Sequence, residues 1–153
     1  MGSFRGLNSI AMDGKGRMAL PAKYRDDLLQ LCDGNLVLTI DTESKCLLLY
    51  PLPEWEVIQQ QLEALPSYNP ATRRIQRLLI GHATDVIMDK QGRLLVPSLL
   101  REYASLDKQI ALIGQGKRFE VWDDALWRSL RDEYLAPENG QAGMPEELSG
   151  LAL

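Results

Sequence analysis

Two five-residue segments share the same ends: Asp13-Gly14-Lys15-Gly16-Arg17 and Asp89-Lys90-Gln91-Gly92-Arg93. Each places a carboxylate four residues before a guanidinium, with glycine directly ahead of the arginine. Glycine lets the backbone turn tightly and come close to a ligand. A short aspartate at the head of a turn accepts backbone N–H bonds or orients a nearby guanidinium. Asp13, Gly16, Asp89 and Gly92 are therefore read as turn-forming. The planar fork of arginine meets O6 and N7 of guanine together, which makes Arg17 and Arg93 candidates for reading bases in a major groove. Lys15 and Lys90 lie inside the same turns, where phosphate contact is their natural role.

A rival chemistry uses the carboxylates. Two symmetry-related aspartates could share one proton, as in a pseudosymmetric aspartic-type hydrolase. Such dyads are flanked by small hydroxyl residues; here the neighbours are Gly14-Lys15 and Lys90-Gln91, and cations keep carboxylates ionised. No catalytic residue is assigned. Gly114-Gln115-Gly116-Lys117 lacks the spacing of a phosphate loop and reads as a hairpin turn. Cys32 and Cys46, with His82 the only histidine, fall short of the four N/S ligands of a structural zinc site, so no metal or other cofactor is expected. Isolated cysteines in a leaderless chain are expected to stay reduced, as small buried hydrophobes.

The turns belong to a longer repeat. Residues 13–25, DGKGRMALPAKYR, align with residues 89–101, DKQGRLLVPSLLR, so that Asp13, Gly16, Arg17, Pro21 and Arg25 recur 76 residues later. Leu47 to Tyr50 with Trp55 match Phe119 to Trp122 with Trp127 at an offset of 72. In each half a strand (Leu7–Met12; Ala83–Met88) enters the turn and a second strand leaves it (Arg17–Leu20; Arg93–Val96). Proline then opens a helix, where its missing N–H is no loss. Tyr24, Leu28 and Leu31 keep helical spacing in the first copy. Two apolar strands follow (Leu36–Ile40 and Cys46–Tyr50; Gln109–Gly114 and Arg118–Trp122). A second helix closes each half, with Trp55, Ile58, Leu62 and Leu65 on one face of the first, and Asp123 capping the other ahead of Leu126, Trp127 and Leu130. A half of this size leaves a sheet face uncovered, so two must pack about a pseudo-twofold axis, bringing their turns to one surface. The segments are a first repeat over 4–65, a linking helix region over 66–80, a second repeat over 81–135 and an acidic mobile tail over 136–153.

Charge and composition bound the function classes. Of 153 residues, 45% are hydrophobic and 25% charged, as in ordinary globular domains, and the net charge is −4. That balance hides an asymmetry: residues 119–153 hold eight acids and two bases, leaving fifteen bases against thirteen acids in residues 1–118. A mildly basic body can bind nucleic acid where its bases are focused. Lys15, Arg17, Lys23 and Arg25 form one such cluster, and Arg73, Arg74 and Arg77 another; Arg25 and Arg101 read equally well as solvated helix residues. No run is long and apolar enough for a membrane span, and Met1 to Arg5 lack the apolar core of a signal peptide, so a cytoplasmic chain is expected.

The paired Asp-x-x-x-Arg turns, each followed by an apolar strand and proline, resemble the tandem repeats of the MraZ family. So do the opening Phe4-Arg5-Gly6, the stretch Leu48-Leu49-Tyr50-Pro51-Leu52-Pro53-Glu54-Trp55, and Arg73 to Leu79. The resemblance runs over roughly residues 4–135. It implies an α+β fold, mainly β with helices: a pseudo-twofold, swapped-hairpin β-barrel of the AbrB type built from two repeats in one chain. It also implies a transcriptional regulator, a repressor by expectation, that forms a ring-like homo-oligomer and binds double-stranded DNA carrying short direct repeats upstream of its own division and cell-wall operon. Nucleoid association follows from the same resemblance, with no membrane and no small-molecule substrate as partner. A further alternative is an antitoxin-like binding module whose acidic tail blocks a partner protein.

Overall fold

The first strand of each repeat leaves its own half and joins the other. In the computed structural model, which describes residues 3–139 and 145–152, β1 (Phe4–Ala11) runs antiparallel to β7 (Gln109–Gly116). Reciprocally, β5 (Thr84–Ile87) pairs with β3 (Asn35–Ile40). The two hairpins, β3 with β4 (Leu47–Pro51) and β7 with β8 (Phe119–Asp123), meet at the β4–β8 ladder. The resulting six-stranded sheet has the order β1-β7-β8-β4-β3-β5, which reads the same after exchange of the repeats. A separate two-stranded ribbon joins β2 (Arg17–Ala19) to β6 (Arg93–Leu95). The fold is thus α+β, built from two repeats that swap strands.

Hydrogen bonds do not close this sheet into a barrel. β1 and β5 remain its edges, and the β2–β6 ribbon lies between them, tied to β1 by a Met12–Met18 bridge. Three-residue strands are too short to complete a ladder, so closure is by side chains instead. Met18, Leu20, Leu94 and Val96 from the ribbon are fully buried with Leu36, Leu38, Leu47, Leu49, Ile110, Leu112, Phe119 and Val121 from the sheet. Phe4, Tyr24 and Phe119 complete this core, with ring centroids 4.5 to 5.9 Å apart. Phe119→Ala is expected to cost about 3–5 kcal/mol, the usual range for emptying a phenylalanine site, measurable by urea denaturation. An effect within 1 kcal/mol or so, the level of an exposed site, would contradict its placement at the centre.

Strands β3 and β4 are buried on both faces because helices cover the outside, which explains their continuous apolar runs. Outside the first repeat, α2 (Leu52–Glu63) packs Trp55, Ile58 and Leu62 over Val37, Leu48 and Tyr50. Outside the second, α5 (Asp124–Leu135) packs Trp127 and Leu130 over Ala111 and Trp122. Asp123 caps α5 by accepting the Leu126 N–H at 3.3 Å. Leu65 departs from the face expected for it. The helix ends at Glu63 and Leu65 is 42% exposed, because Pro66 disfavours helical backbone just before it.

The linking helix α3 (Pro70–Ile75) starts at Asn69, whose side chain accepts the Ala71 N–H, and continues as a π-helical turn over Gln76–Ile80. Thr39, buried in β3, donates its hydroxyl to the Leu79 carbonyl and ties this segment down. On the inner side, α1 (Ala22–Cys32) and α4 (Ser98–Tyr103) follow Pro21 and Pro97. Of the expected tail, 140–144 and 153 lie outside the described residues. Its remainder holds a 3-10 turn over Pro137–Asn139 and an exposed helix α6 (Glu146–Ser149).

Candidate nucleic-acid interface

The β2–β6 register decides where the turn arginines go. Met18 lies opposite Leu94, Arg17 opposite Leu95, and Ala19 opposite Arg93. Side chains alternate across a strand, and Met18 and Leu94 are buried in the core. Arg17, Ala19, Arg93 and Leu95 must therefore share the outward face. Diagonal neighbours of this kind stand about 7–8 Å apart, so the two arginines share one face of the ribbon, one at each end.

Each turn is held by its aspartate. Asp13 Oδ1 accepts the N–H groups of Lys15 at 3.0 Å and Arg17 at 2.9 Å, while Oδ2 accepts Arg17 Nε at 2.8 Å. The second turn repeats this: Asp89 Oδ1 accepts the N–H groups of Gln91 and Arg93 at 2.9 and 2.8 Å, and Oδ2 accepts Arg93 Nε at 2.9 Å. Among the described residues, the Nη atoms of Arg17 have no hydrogen-bond partner beside this Nε contact. Arg93 Nη2 also reaches the Gln91 side chain, at 3.4 Å. Gly16 and Gly92 adopt φ of +86° and +77°, the left-handed region that favours glycine. Lys15 and Lys90 are exposed at the tips.

The carboxyls of Asp13 and Asp89 are held below their ordinary value of 3.8. The N–H of the arginine four residues on is the chief cause; partial desolvation opposes it, and the guanidinium adds to it. A depressed folded value means that the turn's stabilisation is complete above the ordinary range and is lost as pH falls through the lowered value. NMR titration is expected to show the Arg17 and Arg93 amides unchanged down to about pH 4 and shifting only below it. A midpoint at or above the ordinary value would refute this. Ionised carboxylates, each bonded to its own arginine, also do not form a proton-sharing dyad.

The turns are not independent. The Leu20 N–H donates to the Gly92 carbonyl and the Val96 N–H to the Gly16 carbonyl, both at 2.9 Å, each from one repeat to the other. Arg25 donates Nε to the Leu20 carbonyl at 2.7 Å, and Arg101 donates Nε to the Val96 carbonyl at 3.0 Å. Their guanidinium groups then lie over the opposite repeat's glycine. A Cβ on Gly16 would stand 2.6 Å from Arg101 Cζ, and one on Gly92 would stand 2.7 Å from Arg25 Cζ. Sequence alone leaves these arginines open, Arg25 as part of a basic cluster and both equally as solvated helix residues, and does not show this crossing. Their recurrence at the repeat offset of 76 was the available signal.

The linking-helix arginines Arg73, Arg74 and Arg77 are exposed on α3 and its π-helical continuation, which packs against β3 and α2. Among the described residues the grouping that could hold a metal is Asp41, Cys46 and Glu120, within 4.8 Å of one another. Burial raises the Cys46 thiol and keeps it neutral, and Glu120 accepts the Trp122 indole N–H at 2.8 Å. Both cysteines are free thiols. None of the described helices is long and apolar enough to cross a membrane.

A family described as "MraZ protein, putative antitoxin-like" matches the chain twice, over residues 3–78 and 79–142. The "Transcriptional regulator MraZ" of Coxiella burnetii (strain Dugway 5J108-111) is 56% identical over 151 residues, spanning 98% of this chain and 99% of that one. The proteins of the same name from Alkalilimnicola ehrlichii and Legionella pneumophila (strain Corby) are 55% and 52% identical over 150 and 151 residues, with the same coverage.

Proposed function

The chain belongs to the MraZ family of transcriptional regulators, and from that membership we propose that it regulates transcription by binding double-stranded DNA in a sequence-specific way through its β2–β6 ribbon. The observation that carries this reading is the outward face that Arg17 and Arg93 share, one at each end of the ribbon, over a buried Met18–Leu94 pair. A major groove admits a two-stranded ribbon, and a guanidinium there meets a guanine edge with two bonds. Asp13 and Asp89 fix the register of each arginine before DNA arrives, which lowers the ordering cost of binding. Lys15 and Lys90 at the turn tips meet phosphates on either side.

The regulated site is upstream DNA of the chain's own division and cell-wall operon, bound as short direct repeats, with repression as the outcome. A chain of net charge −4 with two to four useful cations per ribbon binds weakly alone, because affinity grows with the number of phosphates neutralised. Several copies in a ring, each engaging one repeat, supply the remainder as avidity. The stretch from Ala64 to Thr84 holds Arg73, Arg74 and Arg77 and no acid, which suits contact with an acidic neighbouring subunit. The chain would then work in the cytoplasm, at the nucleoid. Repeat boundaries at 4–65 and 81–135, a link over 66–80 and a tail from 136 divide it accordingly.

Binding to the chain's own upstream DNA, titrated with salt beside an unrelated duplex, tests this. Wild-type protein should prefer the upstream DNA by at least about 10³-fold. Lys15→Ala should weaken both duplexes alike and reduce the salt slope by about one. Equal affinity for both duplexes in the wild type would refute the proposal.

A further inference from the structure

We infer that Arg25 and Arg101 are positioning residues that act across the repeats: Arg25 holds the turn carrying Arg93, and Arg101 holds the turn carrying Arg17. Two observations meet here. The guanidinium of each lies against the glycine of the opposite turn, close enough that a Cβ on Gly16 would stand 2.6 Å from Arg101 Cζ. Each is also anchored by its Nε to a residue whose own N–H bonds that same glycine's carbonyl. Arg25, Leu20 and Gly92 thus close one clamp, and Arg101, Val96 and Gly16 close its twin.

The clamp follows from the chemistry of the parts. Glycine leaves a flat, buried peptide at the turn, and a planar guanidinium can lie on it where a side chain would otherwise stand. The Nε–H bond prevents the arginine from swinging away. Since the glycine directly precedes the arginine of its turn, its orientation sets where that arginine's Nη atoms point. A change in the first repeat is therefore felt in the second repeat's turn, and the reverse. The inference rests on the DNA-binding reading only for its consequence: Arg25 governs the base position met by Arg93, and Arg101 that met by Arg17.

Amide exchange by NMR on the full chain without DNA tests the clamp first. Arg25→Gln should speed exchange at Gly92 and Arg93 by about tenfold, a local opening, while Gly16 and Arg17 stay within about twofold; Arg101→Gln should do the opposite. Arg25→Lys keeps the charge but not the planar fork, so it should loosen the same distant turn. It also serves as the folded variant should Arg25→Gln unfold. Faster exchange in the variant's own repeat, in both turns alike, or in neither overturns the inference. The second arm compares base preference across single-substitution duplexes. Arg25→Lys should relax the position relaxed by Arg93→Ala, and relaxation at the Arg17→Ala position instead overturns it. A wild-type chain indifferent to DNA sequence would be the failure of the underlying reading, recognisable because the exchange arm needs no DNA.

Discussion

Arg17→Ala combined with Arg93→Ala is expected to abolish sequence-specific DNA binding and leave the fold standing. Each bidentate arginine–guanine pair contributes about 1–3 kcal/mol of discrimination, so losing both should remove at least about thirtyfold. The fold should survive because both side chains are about a third exposed, at 30% and 31%. Asp13 Oδ1 also still accepts the backbone N–H groups of residues 15 and 17 after the side chain is gone. Fluorescence anisotropy on upstream DNA, beside a thermal melt, separates the two effects. Each single substitution should relax one operator position, since the two arginines stand at opposite ends of the ribbon. Asp13→Ala should differ in kind, loosening the turn itself and losing stability and binding together. A folded double variant with wild-type affinity would remove the arginines from the account.

The second large effect concerns copy number on the DNA. A duplex with several upstream repeats should bind about 10²–10⁴ times more tightly than a duplex with one, because every engagement after the first is intramolecular. The gain should collapse when the spacing between repeats is altered by half a helical turn, which points the second site away from the ring. Analytical ultracentrifugation should show an assembly well above monomer mass at micromolar concentration. A monomer, or equal affinity for one repeat and several, would contradict the ring.

The sequence disclosed the repeat, and with it much of the architecture, because chemistry and spacing recur together. The strand, turn, strand, proline and helix order was legible from alternation and from the two prolines. Register was the first thing it withheld. Nothing local in Phe4–Ala11 says that it pairs with Gln109–Gly116 rather than with its own hairpin, since both hairpins offer an apolar edge strand. The open sheet was likewise hidden. β2 and β6 read as strands by pattern, but their three-residue length, which prevents ladder closure, is set by Pro21 and Pro97 acting with the glycine carbonyl bonds from the other repeat. At the candidate site, the turn residues could be singled out by spacing alone. Arg25 and Arg101 recur at the same spacing, but their role could not be read from it, because a charged residue one face away from Tyr24 or Leu100 on a helix has the pattern of ordinary solvated surface. Only the swapped pairing brings each over the other repeat's glycine.

The claim at the centre is that guanine edges are read by the arginines of the ribbon. The most direct measurement is binding to upstream duplexes in which single guanines are replaced by 7-deazaguanine, which removes the N7 acceptor and little else. A loss of about 1–3 kcal/mol is expected at two guanines or more per repeat. One of these losses should vanish in Arg17→Ala and another in Arg93→Ala. Binding unchanged at every guanine, or losses that persist in both variants, would contradict it.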